Sequence, residues 1–168
     1  MDAREHVIVC GIDGSAASRR ALEWAIDEAA RRDCKLRVVT AWSWDGTEAM
    51  EAASTPASEL NHAREVQSAV LSQALAAADS APEVEQVMTR GIPSEVLCTA
   101  ALDAELMVLG SHGHRAVHDR LVGSTSQRVI RHASCPVVIL PDPRHVERER
   151  KKAQGRRRVR EAPSGSFY

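Results

Sequence analysis

The chain has 168 residues, 43% of them apolar, and a formal net charge of −1, a length that suits one domain with one substantial core. Aromatic residues make up only 3%, which argues against a stacking surface for nucleic acid, and no apolar run approaches the roughly 20 residues of a membrane span. The opening MDAREHV is charged and the apolar run after it is too short for a signal peptide, so the expected location is the cytoplasm.

The near-neutral total hides an asymmetry. Residues 144–168 hold nine basic and three acidic side chains, a net of +6, against −7 for residues 1–143. The expected organisation is a folded body, 1–143, followed by a solvated, disordered basic tail, 144–168, whose RKK and RRR runs could hold an acidic partner or nucleic acid without sequence preference. Cys10, Cys34, Cys98 and Cys135 show no CxxC pair, so they are expected to be small core residues in a reducing compartment.

Along the chain, HVIVCGID (6–13) is a short β-branched apolar run, expected to be a strand buried on both faces. SRRALEWAIDEAARR (18–32) then spaces its apolar residues as a helix, with Ser15 or Ser18 as N-cap. KLRVVTAW (35–42) reads as a second strand, and the stretch after it as a loop. Helical period resumes from about Ser58 to Asp79, through Leu60, Ala63, Val66, Val70, Leu71, Ala74 and Leu75, and Pro82 stops it. EVEQVMTRG (83–91) suits a third strand near a sheet edge, and PSEVLCTAAL (93–102) a helix with proline at its first position. ELMVLG (105–110) is the fourth strand, GSTSQRVIRHA (123–133) a last helix and PVVILP (136–141) a fifth strand.

Strands and helices thus alternate with no hairpin signal, the pattern of a parallel sheet covered by helices on both faces. The expected strand order is 3-2-1-4-5, with ligands binding beyond the C-terminal strand ends where the chain reverses direction, between strands 1 and 4. The glycine-rich ends GIDGS and GSHG fall at that switch point.

GSHGHRAVHDRLVGSTSQRV (110–129) has the features of a phosphate cradle. Gly110 and Gly113 clear the backbone for a close approach. Gly123 and Ser124 open a helix whose first N–H groups favour an anion. Ser124 and Ser126 could add hydroxyl donors, Thr125 a backbone donor and Arg115 charge, with the residues between Gly113 and Gly123 arching over the phosphates. Plain strand-to-helix turns are the competing interpretation of the same glycines. His112, His114 and His118 invite a zinc site, but only Asp119 offers a further ligand nearby, and exposed or phosphate-facing histidines are the better reading.

The sequence resembles the universal stress protein family. The resemblance rests on VIVCGIDGSAASRRALEWA, on LMVLGSHGH, on the spacing Gly110-x2-Gly113-x9-Gly123-Ser124 and on HASCPVVILP, and it covers about residues 5–142. It implies an adenine nucleotide alpha hydrolase-like, Rossmann-like fold and the ATP-binding subgroup. Asp13 would then lie by the ribose or face a Mg2+ ion held on the phosphates, Gly11 to Asp13 would line the pocket by backbone, and Ala41 would read the adenine edge. The candidate nucleotide-binding set is Gly11, Ile12, Asp13, Ala41, Gly110, Ser111, His112, Gly113, His114, Arg115, Val122, Gly123, Ser124, Thr125 and Ser126. Homodimers through strand 136–141 are also implied, and that strand is short, apolar and at an edge.

No GxxxxGK[ST] loop, kinase signature or nucleophile elbow occurs. The leading expectation is therefore a stress-response regulator whose ATP occupancy controls its conformation or partners. The alternatives are a slow nucleotide hydrolase and an interaction module without a nucleotide.

Overall fold

The computed structural model describes residues 6–44, 55–113 and 122–142, and within the tail residues 146–147, 150–151 and 153–154. Five strands, β1 (Val7–Gly11), β2 (Lys35–Trp42), β3 (Val84–Arg90), β4 (Leu106–Gly110) and β5 (Val137–Leu140), alternate with four helices, α1 (Ala16–Arg32), α2 (Pro56–Ala77), α3 (Pro93–Ala100) and α4 (Ser124–His132). All strand pairs are parallel, in the order β3-β2-β1-β4-β5. The expected order is therefore observed, with β3 and β5 at the edges.

β1 is central, and its alternating side chains enter two different cores. Ile8 and Cys10 join Leu36, Val38 and Val108 under α1 and α2, which contribute Leu22, Ile26, Val70 and Leu71. Val7 and Val9 join Val39, Met107 and Leu109 under α3 and α4, which contribute Val96, Leu97 and Val129. Residues 7–10 are fully buried, which is why β1 reads as a continuous apolar run rather than an alternating one.

The helix starts are set by local chemistry. Ser15 caps α1, its Oγ accepting the Ser18 N–H at 3.2 Å. α2 begins at Pro56, ahead of the expected Ser58, because Thr55 and Ser58 form a reciprocal capping pair and Pro56 occupies the first turn. Its buried face also differs from expectation. Gln67 is buried with Val70, Leu71 and Ala74, while Leu60, Ala63 and Val66 are half-buried. The Gln67 amide donates to Val38 O, Thr40 Oγ1 and Val87 O at 3.1–3.3 Å, so a polar side chain fastens the helix to β2 and β3. Cys10 and Cys34 are buried, Cys98 and Cys135 half-buried, and all four are free thiols.

The connection 45–54, the loop residues 114–121 and much of the tail lie outside the described residues. The described tail residues are helical: Val146 N–H donates to Asp142 O at 3.1 Å, and Lys151 pairs with Glu147 one turn earlier.

One cross-link ties α3 to the sheet. Arg37 on β2 donates to Glu85 on β3, to Ala100 O and to Asp103 beyond α3, with Nη1 to Asp103 Oδ1 at 2.7 Å. The Arg37 hydrogen bond holds the Asp103 carboxyl below its ordinary range. A depressed folded-state pKa means that stability is present at neutral pH and lost as the pH falls through the carboxylate range. Because Asp103 is largely exposed, the contribution is expected to stay below about 1 kcal/mol. Asp103→Asn should reduce stability at pH 7 by that amount and by progressively less as the pH falls through the carboxylate range, compared by urea denaturation; a loss that does not change with pH would place its role outside the ion pair.

Candidate functional site

At the C-terminal ends of β1 and β4 the chain forms a crevice of about 140 Å³. Val39 and Ala41 of β2, Pro93 and Leu97 of α3 and Leu109 of β4 give it an apolar side, while Asp13, Ser18, His112, Thr125 and Ser126 supply polar groups. Gly11, Ile12, Gly110 and Gly113 complete the lining. An apolar wall with a few convergent polar groups at a switch point is the usual character of a small-ligand site.

The β1 loop is shaped by a short hydrogen-bonded turn. Gly14 takes φ 83°, a left-handed conformation that suits glycine. The Ser15 N–H then reaches back to Asp13 Oδ1 at 3.0 Å, so the carboxylate is held at the crevice mouth. The β4 loop meets it there: a Cβ on Gly113 would stand 2.3 Å from Asp13 Oδ2. The two loops are also joined by Ser15 Oγ donating to His112 O at 3.3 Å.

Gly110 lines the crevice and has a packing role besides. A Cβ there would lie 2.7 Å from Ala17 C and 2.8 Å from Ser18 N, so this glycine lets the α1 backbone cross the end of β4. Gly123 is the N-cap of α4 and offers no side-chain hydrogen bond. Its own N–H goes to Ser111 O at 2.7 Å. The helical start leaves the N–H groups of Ser124, Thr125 and Ser126 without intrahelical partners, and Thr125 and Ser126 line the crevice.

The structure therefore gathers Gly11, Ile12, Asp13, Ala41, Gly110, His112, Gly113, Thr125 and Ser126 from the expected set. Four others stand apart from the lining. Ser111 is 4% exposed and bonded internally. The Val122 carbonyl accepts from Gln127 Nε2 at 2.9 Å, Gly123 sits behind the loop, and Ser124 is exposed to solvent. His114 and Arg115, like His118 and Asp119, fall outside the described residues. The expected role of the Ser126 hydroxyl as a ligand donor is also revised, because it donates to Gly110 O at 2.9 Å.

Sequence reasoning missed Ser18, Val39, Pro93, Leu97 and Leu109 as crevice residues. Ser18 and Pro93 read as helix-start residues and the other three as helix or strand core, and only the tertiary placement of α3 beside β2 turns them into a wall. Trp42 and Trp44 do not line the crevice; Trp42 stacks under the Arg90 guanidinium at 5.8 Å. Among the described residues no group of three or more His, Cys, Asp or Glu side chains could hold a metal ion, so a cation at Asp13 would need most of its ligands from elsewhere.

The parallel sheet and its order place the chain in the Rossmann-like, adenine nucleotide alpha hydrolase-like class. The universal stress protein family model matches residues 5–141, and the chain belongs to that family. It is 31% identical over 141 residues to universal stress protein Rv2005c of Mycobacterium tuberculosis, covering 82% of this chain and 46% of that one. Universal stress protein Rv2624c of the same organism is 33% identical over 133 residues, covering 79% and 47%. The chain thus spans about half the length of the curated relatives it matches.

Among solved structures it is similar to the universal stress protein UspA from Lactobacillus plantarum, at TM-score 0.66 and 26% identity, covering 83% of this chain and 99% of that one. A universal stress protein in complex with cAMP matches at TM-score 0.61 and 27% identity, covering 82% and 97%. No described helix is long and apolar enough to cross a membrane.

The two serines of α4 should separate by mutation. Ser126→Ala removes the buried donor to Gly110 O and is expected to cost about 1–2 kcal/mol of unfolding free energy, whereas Ser124→Ala, on an exposed hydroxyl, should stay within about 0.5 kcal/mol. Chemical denaturation of both variants checks this, and equal effects would contradict the assignment.

Proposed function

We propose that the chain binds an adenine nucleotide in this crevice, as ATP with Mg2+ carried on its phosphates, and works as a cytoplasmic stress-response regulator whose occupancy controls its conformation or partners. The observation that carries this reading is the start of α4, which has no side-chain cap and lies in the lining of the crevice that holds Asp13. Unpaired N–H groups and the helix dipole favour an anion there. Glycine at 113 admits the β4 loop beside Asp13, where a Cβ would push the carboxylate out of its place. The apolar side made by Val39, Ala41, Pro93 and Leu97 suits a base, and the Ala41 backbone would read its edge. The relative solved with cAMP supports a nucleotide as the ligand class.

Asp13 has the chemistry to accept from ribose hydroxyls or to face a phosphate-bound Mg2+. The donors of the α4 start would neutralise phosphate charge, and His112 would add one more polar contact. These are the parts of a recognition site. Hydrolysis would further require a water aligned with the terminal phosphate.

Isothermal titration with ATP and Mg2+ tests the reading. Gly113→Val should weaken binding at least tenfold, about 1.4 kcal/mol, with the thermal melt retained because the residue is exposed. ATP binding equal to wild type would refute the loop assignment. Following phosphate release in the same samples separates a binder from a slow hydrolase: retention of intact ATP is expected.

β5 is an edge strand and its four residues are only half-buried, so we further propose that it pairs with a second copy. Ile139→Pro would remove a donor on the open side of β5, since residues 136, 138 and 140 bond to β4, and would disrupt such pairing. Wild type is expected to sediment as a dimer and this variant as a monomer; a wild-type monomer at working concentration would exclude the interface. The basic tail is proposed as a separate contact for an acidic partner.

A further inference from the structure

Ser111 lies next to the crevice but not in its lining, and all its hydrogen-bonding groups have partners. Its N–H donates to Leu140 O at 2.7 Å, and its carbonyl accepts the Gly123 N–H at 2.7 Å. Its hydroxyl oxygen accepts the Asp142 N–H at 3.1 Å and lies 3.0 Å from His112 Nδ1. The side chain therefore joins the end of β4, the segment after β5 and an imidazole that lines the crevice.

The direction of the hydroxyl–imidazole bond follows from counting donors. A backbone N–H can only donate, so Asp142 takes a lone pair of the Ser111 oxygen. The hydroxyl proton is then left to be placed, and Ser111 is 4% exposed, so it needs a protein acceptor. Nδ1 of His112 is the acceptor within reach. A neutral imidazole that accepts at Nδ1 carries its proton at Nε2 and is a donor there. The His112 carbonyl is meanwhile held by Ser15 Oγ from the β1 loop. Ring and backbone are thus fixed from two different elements.

We infer that Ser111 is a positioning residue for the ligand: its hydroxyl sets His112 as an Nε2–H donor, oriented in the crevice to bind an oxyanion of a nucleotide. The inference rests on the nucleotide reading above and adds a residue that acts through His112 without touching the ligand. A preorganised donor loses less freedom on binding than a mobile surface histidine, which raises affinity with no new contact. Glycine or alanine at 111 would leave the same loop path but neither the tautomer nor the Asp142 acceptor.

The full-length chain labelled with 15N at histidine tests this directly. Two-bond 1H–15N spectra at neutral pH should show His112 as the Nε2–H tautomer, assigned by its loss in His112→Gln. An Nδ1–H tautomer or rapid exchange between the two would overturn the inference, even if no Ser111 variant could be purified. ATP titration supplies the functional arm. Ser111→Ala and His112→Ala should each weaken binding about tenfold, the scale of one hydrogen bond to a charged group. The double variant should be no weaker than His112→Ala alone, because the two residues act as one unit. Ser111→Thr, which keeps the hydroxyl, should restore most of the affinity. Additive losses would show that Ser111 acts on the fold and overturn the inference. Wild type that fails to bind ATP would sink the nucleotide reading instead, and the tautomer measurement would still stand by itself.

Discussion

The crossing of α1 over the end of β4 at Gly110 is the contact on which the site depends. With a Cβ 2.7 Å from the backbone of Ala17, no other residue would let the helix sit so low. Because α1 lies there, its first turn brings Ser15 and Ser18 to the β4 loop, and Asp13 is presented at the mouth of the crevice. The Ser126 hydroxyl then takes the Gly110 carbonyl, so α4 is referenced to the same point. One bare backbone position thus brings a strand end and two helix starts together, and the switch-point crevice follows from that meeting.

Most of the fold was legible because a parallel sheet leaves a strong trace. Strands such as VIVC and LMVL are buried on both faces, so their composition is apolar and β-branched without alternation. Proline at 93 and serine at 15 marked helix starts for reasons local to a few residues. What was not legible depended on distant partners. Gln67 sits where an apolar residue was expected, and its burial makes sense only with the β2 and β3 carbonyls it meets.

The site divides along the same line. Glycines and Asp13 announced themselves because a close approach and a strand-end carboxylate have few substitutes. Leu97, Leu109 and Val39 did not, since a core side chain and a pocket side chain share one composition. Gly110 and Ser126 line the crevice as expected, and each also has a structural task that the sequence did not show. Both look like ligand groups in sequence, and both are occupied by packing or by an internal hydrogen bond. A motif of this kind records where backbones converge. It does not by itself say whether each member faces the ligand or holds up the residue that does.

The end of the body and the start of the tail share the polar hub of the crevice. Asp142 is 9% exposed, its N–H is bound to Ser111, and its carbonyl receives the first helical bond of the tail from Val146. Arg20 of α1 holds the neighbouring Pro141 carbonyl at 2.7 Å. Pro141 and Asp142, just after β5, are therefore held by α1 and by the residue that follows β4, the two elements whose crossing shapes the crevice.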